Sequence, residues 1–416
     1  MTLAFCTGTA TPAVAAECVF PDNVDWVVNG SCEISGIRIA PRNLSVANGA
    51  TLTIENTGEL ILDMRSFQIN IDPNSRIVVE NGGRIRSNQI GPLLVRRTDG
   101  GTFGYLLKEV GGGFFDSINP DLSFHPSSAI KALYMIEALR QVDSGTLTLN
   151  TTLTSCPTTI TPGPGQTCPN SFSNATSGGA GGNCQSPPVP NTAMSCGAAT
   201  QTYGLGVGIC AMMKVSNNAA ANAIQEIVGG GNPQTGWNNM LNNAGAAIGL
   251  TATSLGNRMG CGGPANTPNN QTTLRDLALL FEQMATDPAV LFPVSPPVPF
   301  VFPNTNAYNF MDNHVNDSAF VQTIVTEQAA EIGLDATTIG NFMAGVRNVH
   351  KAGNNGNTFV TLAGWVSFPI NAGAGSRDYV YGLFLNNVTT NLLGTDLRQE
   401  AGEMLRPVIR DALEAF

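Results

Sequence analysis

Ser128 and Lys131, three residues apart in His125-Pro126-Ser127-Ser128-Ala129-Ile130-Lys131, are the residue types of a hydroxyl nucleophile and its base. A serine hydroxyl attacks poorly until something takes its proton. A lysine amine serves only where burial or a neighbouring cation favours its neutral form. The run that follows, Ala132 to Leu139, is apolar almost all round, the pattern of a buried helix, with Pro126 suited to its first turn. That spacing puts hydroxyl and amine on one helix face. Two later stretches carry similar groups: Ser216-Asn217-Asn218, between helical patterns, and Lys351-Ala352-Gly353, between an alternating run and a strand-like one. Each has an ordinary explanation by itself. Ser128 and Ser216 suit helix caps, Lys131 a snorkelling side chain and Lys351 a strand-end charge.

Together the three stretches form Ser-x-x-Lys, Ser-x-Asn and Lys-x-Gly in chain order, the signature set of penicillin-recognising serine enzymes. From about Thr102 to its end the chain resembles the class A β-lactamase and penicillin-binding-protein family. The likeness extends to the flanks Glu137–Leu147, Thr251–Met259 and Thr272–Ala278.

The resemblance implies an α/β fold, an antiparallel sheet with flanking helices and a helical subdomain, with the site at the boundary between sheet and helices. It implies that Ser128 attacks an acyl carbonyl, that Lys131 takes the proton and that Ser216 passes one towards the leaving nitrogen. Lys351 would hold the substrate carboxylate and keep Lys131 neutral. Asn218 would contact the substrate amide, and Gly353 would let substrate approach the strand. The backbone N–H groups of Ser128 and Asn354 would form the oxyanion hole.

Two departures stand out. Asn217 replaces the family's aspartate. Where the family places the glutamate that activates the deacylating water, the alignment puts Met259, with no acidic residue from Thr251 to Arg275. The expectation is therefore an exported serine hydrolase, β-lactamase-like or D-alanyl-D-alanine peptidase-like. It acylates Ser128 with β-lactam or peptidoglycan-like substrates and deacylates slowly. The alternative is a non-hydrolysing surface or ligand-binding protein on the same fold.

The elements that must position these groups are legible in outline. Thr102–Leu107 and Gly113–Phe115 read as strands, and the helix carrying Lys131 stops near Asp143-Ser144-Gly145. Tyr203–Val228 looks helical on both sides of Ser216, and a further helix begins at Trp237 and ends near Ile248. Val346–Val349, Phe359–Phe368 and Tyr379–Leu385 alternate as strands, and Thr395–Ala415 reads as a closing amphipathic helix. Residues 155–200, rich in Pro, Gly, Ser, Thr and Asn, read as a surface insertion stapled by cysteines. The run Gly178–Gly182 lacks the flanks of a phosphate loop. His125 reads as a positioning residue near the nucleophile, His350 as structural support, and His314 has no second ligand in view.

Ahead of these elements, residues 17–97 are patterned differently. Leu52/Ile54, Leu60/Leu62, Phe67/Ile69/Ile71 and Ile77/Val79 alternate with polar residues between Asn-Gly and Asp-Pro-Asn turns. Short rungs at near-regular spacing suggest a small all-β, solenoid-like domain, structural or for cell-envelope attachment. Residues 1–16 look like the end of a secretory signal without its positive region. The domain expectation is thus 1–16, 17–97 and 98–416.

Bulk properties bound the rest. The 416 residues hold 42% hydrophobic side chains, enough for two domains with ample core, and no apolar run is long enough for a membrane span. A net charge of −10 argues against nucleic acid as a partner, leaving a small-molecule acyl substrate. Without Cys6, eight of the nine cysteines remain, and none sits in a CxxC pair with a histidine partner, so neither metal nor cofactor is expected. Disulfides are, with Cys18–Cys32 and Cys210–Cys261 as the anticipated pairs and Cys156, Cys168, Cys184 and Cys196 paired among themselves.

Overall fold

The computed structural model describes residues 16–20, 24–40, 42–63, 67–87, 94, 101–156, 200–260, 270–286, 319–355, 359–386 and 394–416. Everything below concerns these residues. The chain divides into two compact units, Met1–Asp99 and Gly100–Phe416.

The first unit is made of short parallel strands. β1 (Ala16–Glu17), β3 (Cys32–Ile34), β6 (Thr51–Ile54) and β9 (Arg76–Val79) make one sheet. β2 (Trp26–Val28), β5 (Leu44–Val46) and β8 (Ile69–Ile71) make a second, and β4 (Ile37–Ile39), β7 (Glu59–Leu62) and β10 (Arg84–Ser87) a third. The chain returns repeatedly to the same sheet, so Cys32 pairs with Leu52 and Leu52 with Ile77. Equivalent apolar positions therefore stack, and Ile34, Leu44, Val46, Leu52, Ile54 and Leu60 are fully buried. Asn48, with φ +59°, and Gly49, with φ +73°, make one left-handed corner between strands, a conformation that asparagine and glycine tolerate. The Cys18–Cys32 disulfide closes the start of the stack.

In the second unit the sheet order is β12-β11-β17-β16-β15. β11 (Thr102–Glu109) and β12 (Phe114–Ile118) come from the start of the unit, and β15 (Arg347–Asn355), β16 (Phe359–Ile370) and β17 (Gly375–Asn386) from its end. All four pairings are antiparallel. The joint between the two chain ends is β11 against β17, with Tyr105 opposite Leu383. Along β16 the residues from Val360 to Pro369 are buried without alternation, as happens when both faces of a strand are covered. Helix α8 (Gly394–Glu414) and helix α6 (Ala319–Glu331) pack together, with α8 against the sheet. Helix α5 (Leu274–Ala285) also packs on the sheet, where Gly382 lets Leu274 approach β17.

The helical part between β12 and β15 includes α1 (Lys131–Asp143), α2 (Leu205–Lys214), α3 (Asn218–Val228) and α4 (Pro233–Asn239), and α7 (Ala336–Gly345) precedes β15. Its core joins Leu133, Met135, Leu139, Ile209, Met212, Ile224 and Trp237 to Val380 and Phe384 of the sheet. No helix among the described residues is long and apolar enough to cross a membrane.

Several boundaries differ from the sequence expectation. Pro126 does not begin the α-helix: a 3-10 turn, Ser127–Ile130, intervenes and α1 starts at Lys131. Lys351-Ala352-Gly353 lies inside β15 rather than between strands, because the pairing with β16 continues to Asn355. The helix expected from Trp237 begins earlier, at Pro233, capped by the Asn232 side chain. Thr152–Ser155 (β13) and Gln201–Gly204 (β14) pair antiparallel, pinning the two ends of the expected insertion. Cys156 and Cys210 are each disulfide-bonded. Cys168, Cys184, Cys196, Cys261, Gly178–Gly182 and His314 lie outside the described residues, and the anticipated Cys210–Cys261 pairing with them.

Candidate active site

Ser128 stands on the 3-10 turn that leads into α1, one turn before Lys131. In 3-10 geometry residues three apart eclipse one another, so positions 128 and 131 fall on one side of the turn. Ser127 takes φ +47° to make the turn. The only other serine among the described residues with a positive φ is Ser216, at +56°; the rest are asparagines, glycines and Ala372. Such backbone costs about 1–3 kcal/mol per residue and persists where the surroundings over-determine it.

Ser216 owes its position to two helices. α2 ends at Lys214, Ser216 takes the left-handed conformation that often follows a helix end, and Asn217 then starts α3. The Asn217 Oδ1 accepts the N–H of Ala220, an N-cap worth about 1 kcal/mol. Asn217 thus caps the helix that follows the Ser216 loop.

The Lys131 amine meets three groups of this loop: the Ser216 carbonyl at 2.6 Å, the Asn218 Oδ1 at 2.6 Å and the Ser216 Oγ at 3.1 Å. Lys351 Nζ, reaching in from β15, donates to the same Ser216 Oγ at 3.1 Å and to the Ala352 carbonyl at 2.9 Å. Lys131 is wholly buried. Burial first, and the charge of Lys351 second, hold its pKa well below the ordinary lysine range. A neutral amine has two N–H groups and one lone pair. The Ser216 carbonyl and the Asn218 Oδ1 can only accept, so in that form they would use both N–H groups and leave the lone pair for a hydroxyl.

β15 approaches the serine turn closely at Gly353. A Cβ there would lie 2.4 Å from the Pro126 carbonyl oxygen and 2.9 Å from the Ser128 nitrogen, distances that only glycine permits. Asn354 follows in the strand, opposite Val360 of β16. The structure therefore brings Ser128, Lys131, Ser216, Asn218, Lys351 and Gly353 into one place, with Asn354 next along the strand.

Some contacts here had weak sequence signals. Asn222, four residues after Asn218 on α3, accepts the Met259 N–H at 2.9 Å on Oδ1 and donates to the Met259 carbonyl at 3.0 Å. The segment containing Met259 is also held by Asp276, which accepts from Ala252 N and Thr253 Oγ1, and by Asn270, which accepts from Gly256 and Asn257. Only the i, i+4 spacing of Asn218 and Asn222 hinted at this clasp. Met259 is buried in the core beside α3, and Arg258 next to it pairs with Glu226 at 2.8 Å. His350 is buried against the edge of the Phe320 ring, 5.7 Å between centroids. No group of three or more metal-binding side chains occurs among the described residues.

A serine one turn from a buried lysine and a second serine shared by two amines, beside an antiparallel sheet, are the arrangement of a β-lactamase-like serine hydrolase. Residues 86–291 match the model of the β-lactamase enzyme family, and this part of the chain belongs to the β-lactamase and penicillin-binding-protein-like family of serine hydrolases. The fold is similar to that of a β-lactamase from Sphaerobacter thermophilus, at 18% identity and TM-score 0.50, over 79% of this chain and 97% of that one. Also similar are a mutant of PBP-A in its acyl-enzyme complex with penicillin G (20% identity, TM-score 0.49, 78% and 95% covered) and a class A β-lactamase from Bacteroides cellulosilyticus (16%, 0.48, 79% and 96%). No curated protein matches the chain.

Proposed function

We propose that this protein is an exported acyl-transfer enzyme that takes β-lactam or peptidoglycan-like acyl groups onto Ser128 and releases them slowly. The neutral Lys131 amine removes the Ser128 proton as the oxygen attacks the carbonyl carbon. The backbone N–H groups of Ser128 and Asn354 receive the developing oxyanion. Ser216, oriented by Lys351, then hands a proton to the leaving nitrogen and recovers one from Lys131. Lys351 holds the substrate carboxylate and Asn218 the amide. The observation that carries this reading is the Ser216 hydroxyl lying 3.1 Å from each of the two amines, one of them buried and depressed in pKa.

Slow deacylation follows from Met259, which occupies the position the family resemblance assigns to the water-activating glutamate. Export is supported by the Cys18–Cys32 disulfide and by the disulfide-bonded Cys156 and Cys210, which suit an oxidising compartment. The parallel stack of β1–β10 is read as a solenoid-like accessory domain for attachment to the cell envelope, within a 1–16, 17–97 and 98–416 arrangement. In the test, intact protein is incubated with a penicillin and weighed by mass spectrometry over time. A single adduct that lasts for many minutes and is absent from Ser128→Ala is expected. An adduct that survives in Ser128→Ala, or none in the wild type, would sink the proposal, the latter in favour of a non-hydrolysing binding protein.

A further inference from the structure

The turn that carries Ser128 has a histidine where a capping side chain belongs. Pro126, at the N-cap position of the 3-10 turn, makes no side-chain cap. The N–H of Ser127 points instead to His125 Nδ1 at 3.0 Å, and the Ser127 hydroxyl lies 3.3 Å from the same nitrogen. This is the geometry of an asparagine accepting the N–H two residues on, with imidazole Nδ1 in place of the amide oxygen. The ring packs against Phe359 of β16, 5.9 Å between centroids, so it is fixed from outside the turn. It anchors Ser127, whose φ of +47° sets the direction of the next residue, Ser128.

We infer that His125 is a positioning residue, whose neutral ring holds the Ser128 turn through Nδ1 and whose protonation releases it and weakens acylation. This rests on Ser128 being the acylated residue. With Nδ1 accepting, the ring proton sits on Nε2; a second proton would convert the acceptor into a donor facing the Ser127 N–H. The charged or titratable groups on the elements around the turn are Lys131 at the start of α1 and Arg347, His350 and Lys351 on β15. Across the Phe124–Thr272 bridge stand Arg275 and Asp276. β16 carries none. None of these charges contributes to the depression of the His125 pKa, which comes from burial, partly opposed by its own backbone carbonyl. The ring therefore stays neutral near pH 7 and gains its proton at a pH below the ordinary histidine value.

The test uses the full chain and a fluorescent penicillin, with the second-order labelling rate measured from pH 5 to pH 8.5 for wild type, His125→Ala, His125→Asn and Ser128→Ala. Asparagine can accept the Ser127 N–H but does not titrate. His125→Ala should slow labelling by about ten- to a hundredfold at pH 7.5, the cost of a misaimed nucleophile. His125→Asn should recover most of the rate, and its acid limb should depend on one proton fewer than that of the wild type. Should alanine prevent folding, the proton count of the asparagine variant decides alone. Unchanged rates and profile in both variants, or an asparagine variant with the wild-type proton count, overturn the inference while leaving Ser128 as nucleophile. Labelling that is absent, or independent of Ser128, overturns both.

Discussion

Asn222 clasps Met259 by both ends of its backbone, accepting its N–H at 2.9 Å and donating to its carbonyl at 3.0 Å. The clasp fixes residue 259 relative to α3, the helix that starts at Asn218, and the side chain so placed has no proton to exchange. Met259→Glu supplies a carboxylate at a braced position. It should shorten the lifetime of a penicillin adduct by about a hundredfold, the usual scale of a general base, while lowering thermal stability because a charge enters the core. Time-resolved mass spectrometry reads the lifetime, and an adduct as durable as in the wild type would refute the account of slow deacylation.

Lys351 is the second cause of the depressed pKa of Lys131, after burial. Removing its charge raises the Lys131 pKa, so less neutral amine is present at pH 7 and the acid limb of acylation moves to higher pH. Lys351→Ala should show that displacement, whereas Lys351→Arg, which keeps the charge, should leave the limb in place. The position of the limb, rather than the absolute rate, is the reading, since both variants also disturb substrate binding. An unmoved limb in Lys351→Ala would leave burial as the sole cause.

Gly353→Ala places a methyl group 2.4 Å from the Pro126 carbonyl. Either β15 or the serine turn must retreat. Overpacking of this kind costs on the order of 1–3 kcal/mol, and the displaced turn should slow acylation far more than a surface substitution would. Thermal denaturation with labelling kinetics measures both effects; a wild-type labelling rate would show that strand and turn are not tightly coupled.

Asp143 closes α1, where the helix dipole disfavours a negative charge, and burial pushes its pKa up to about 6. Its folded pKa lies above the unfolded value of 3.8, so the protonated form favours folding at low pH and that contribution disappears as pH rises from about 4 to about 6. Asp143→Asn should therefore melt higher than wild type at pH 7.5 and lose the advantage near pH 4. Equal melting temperatures at both pH values would contradict it.

The candidate site was legible in the chain because it depends on residue types in order. A hydroxyl and an amine three apart, a Ser-x-Asn loop and a Lys-x-Gly strand retain their spacing however the rest is packed. The apolar runs of β16, β17 and α1 likewise announced their elements, since composition and length survive in one dimension. Only the tertiary structure could decide that Lys131 is stripped of water and set against the charge of Lys351, 220 residues later, for desolvation and Coulomb terms depend on neighbours distant in the chain. It also decided that Ser127 and Ser216 accept left-handed backbones, that a 3-10 turn rather than an α-helix presents Ser128, and that His125 and Asn222 brace backbones. Such strain and bracing follow from three-dimensional packing, which no local pattern encodes.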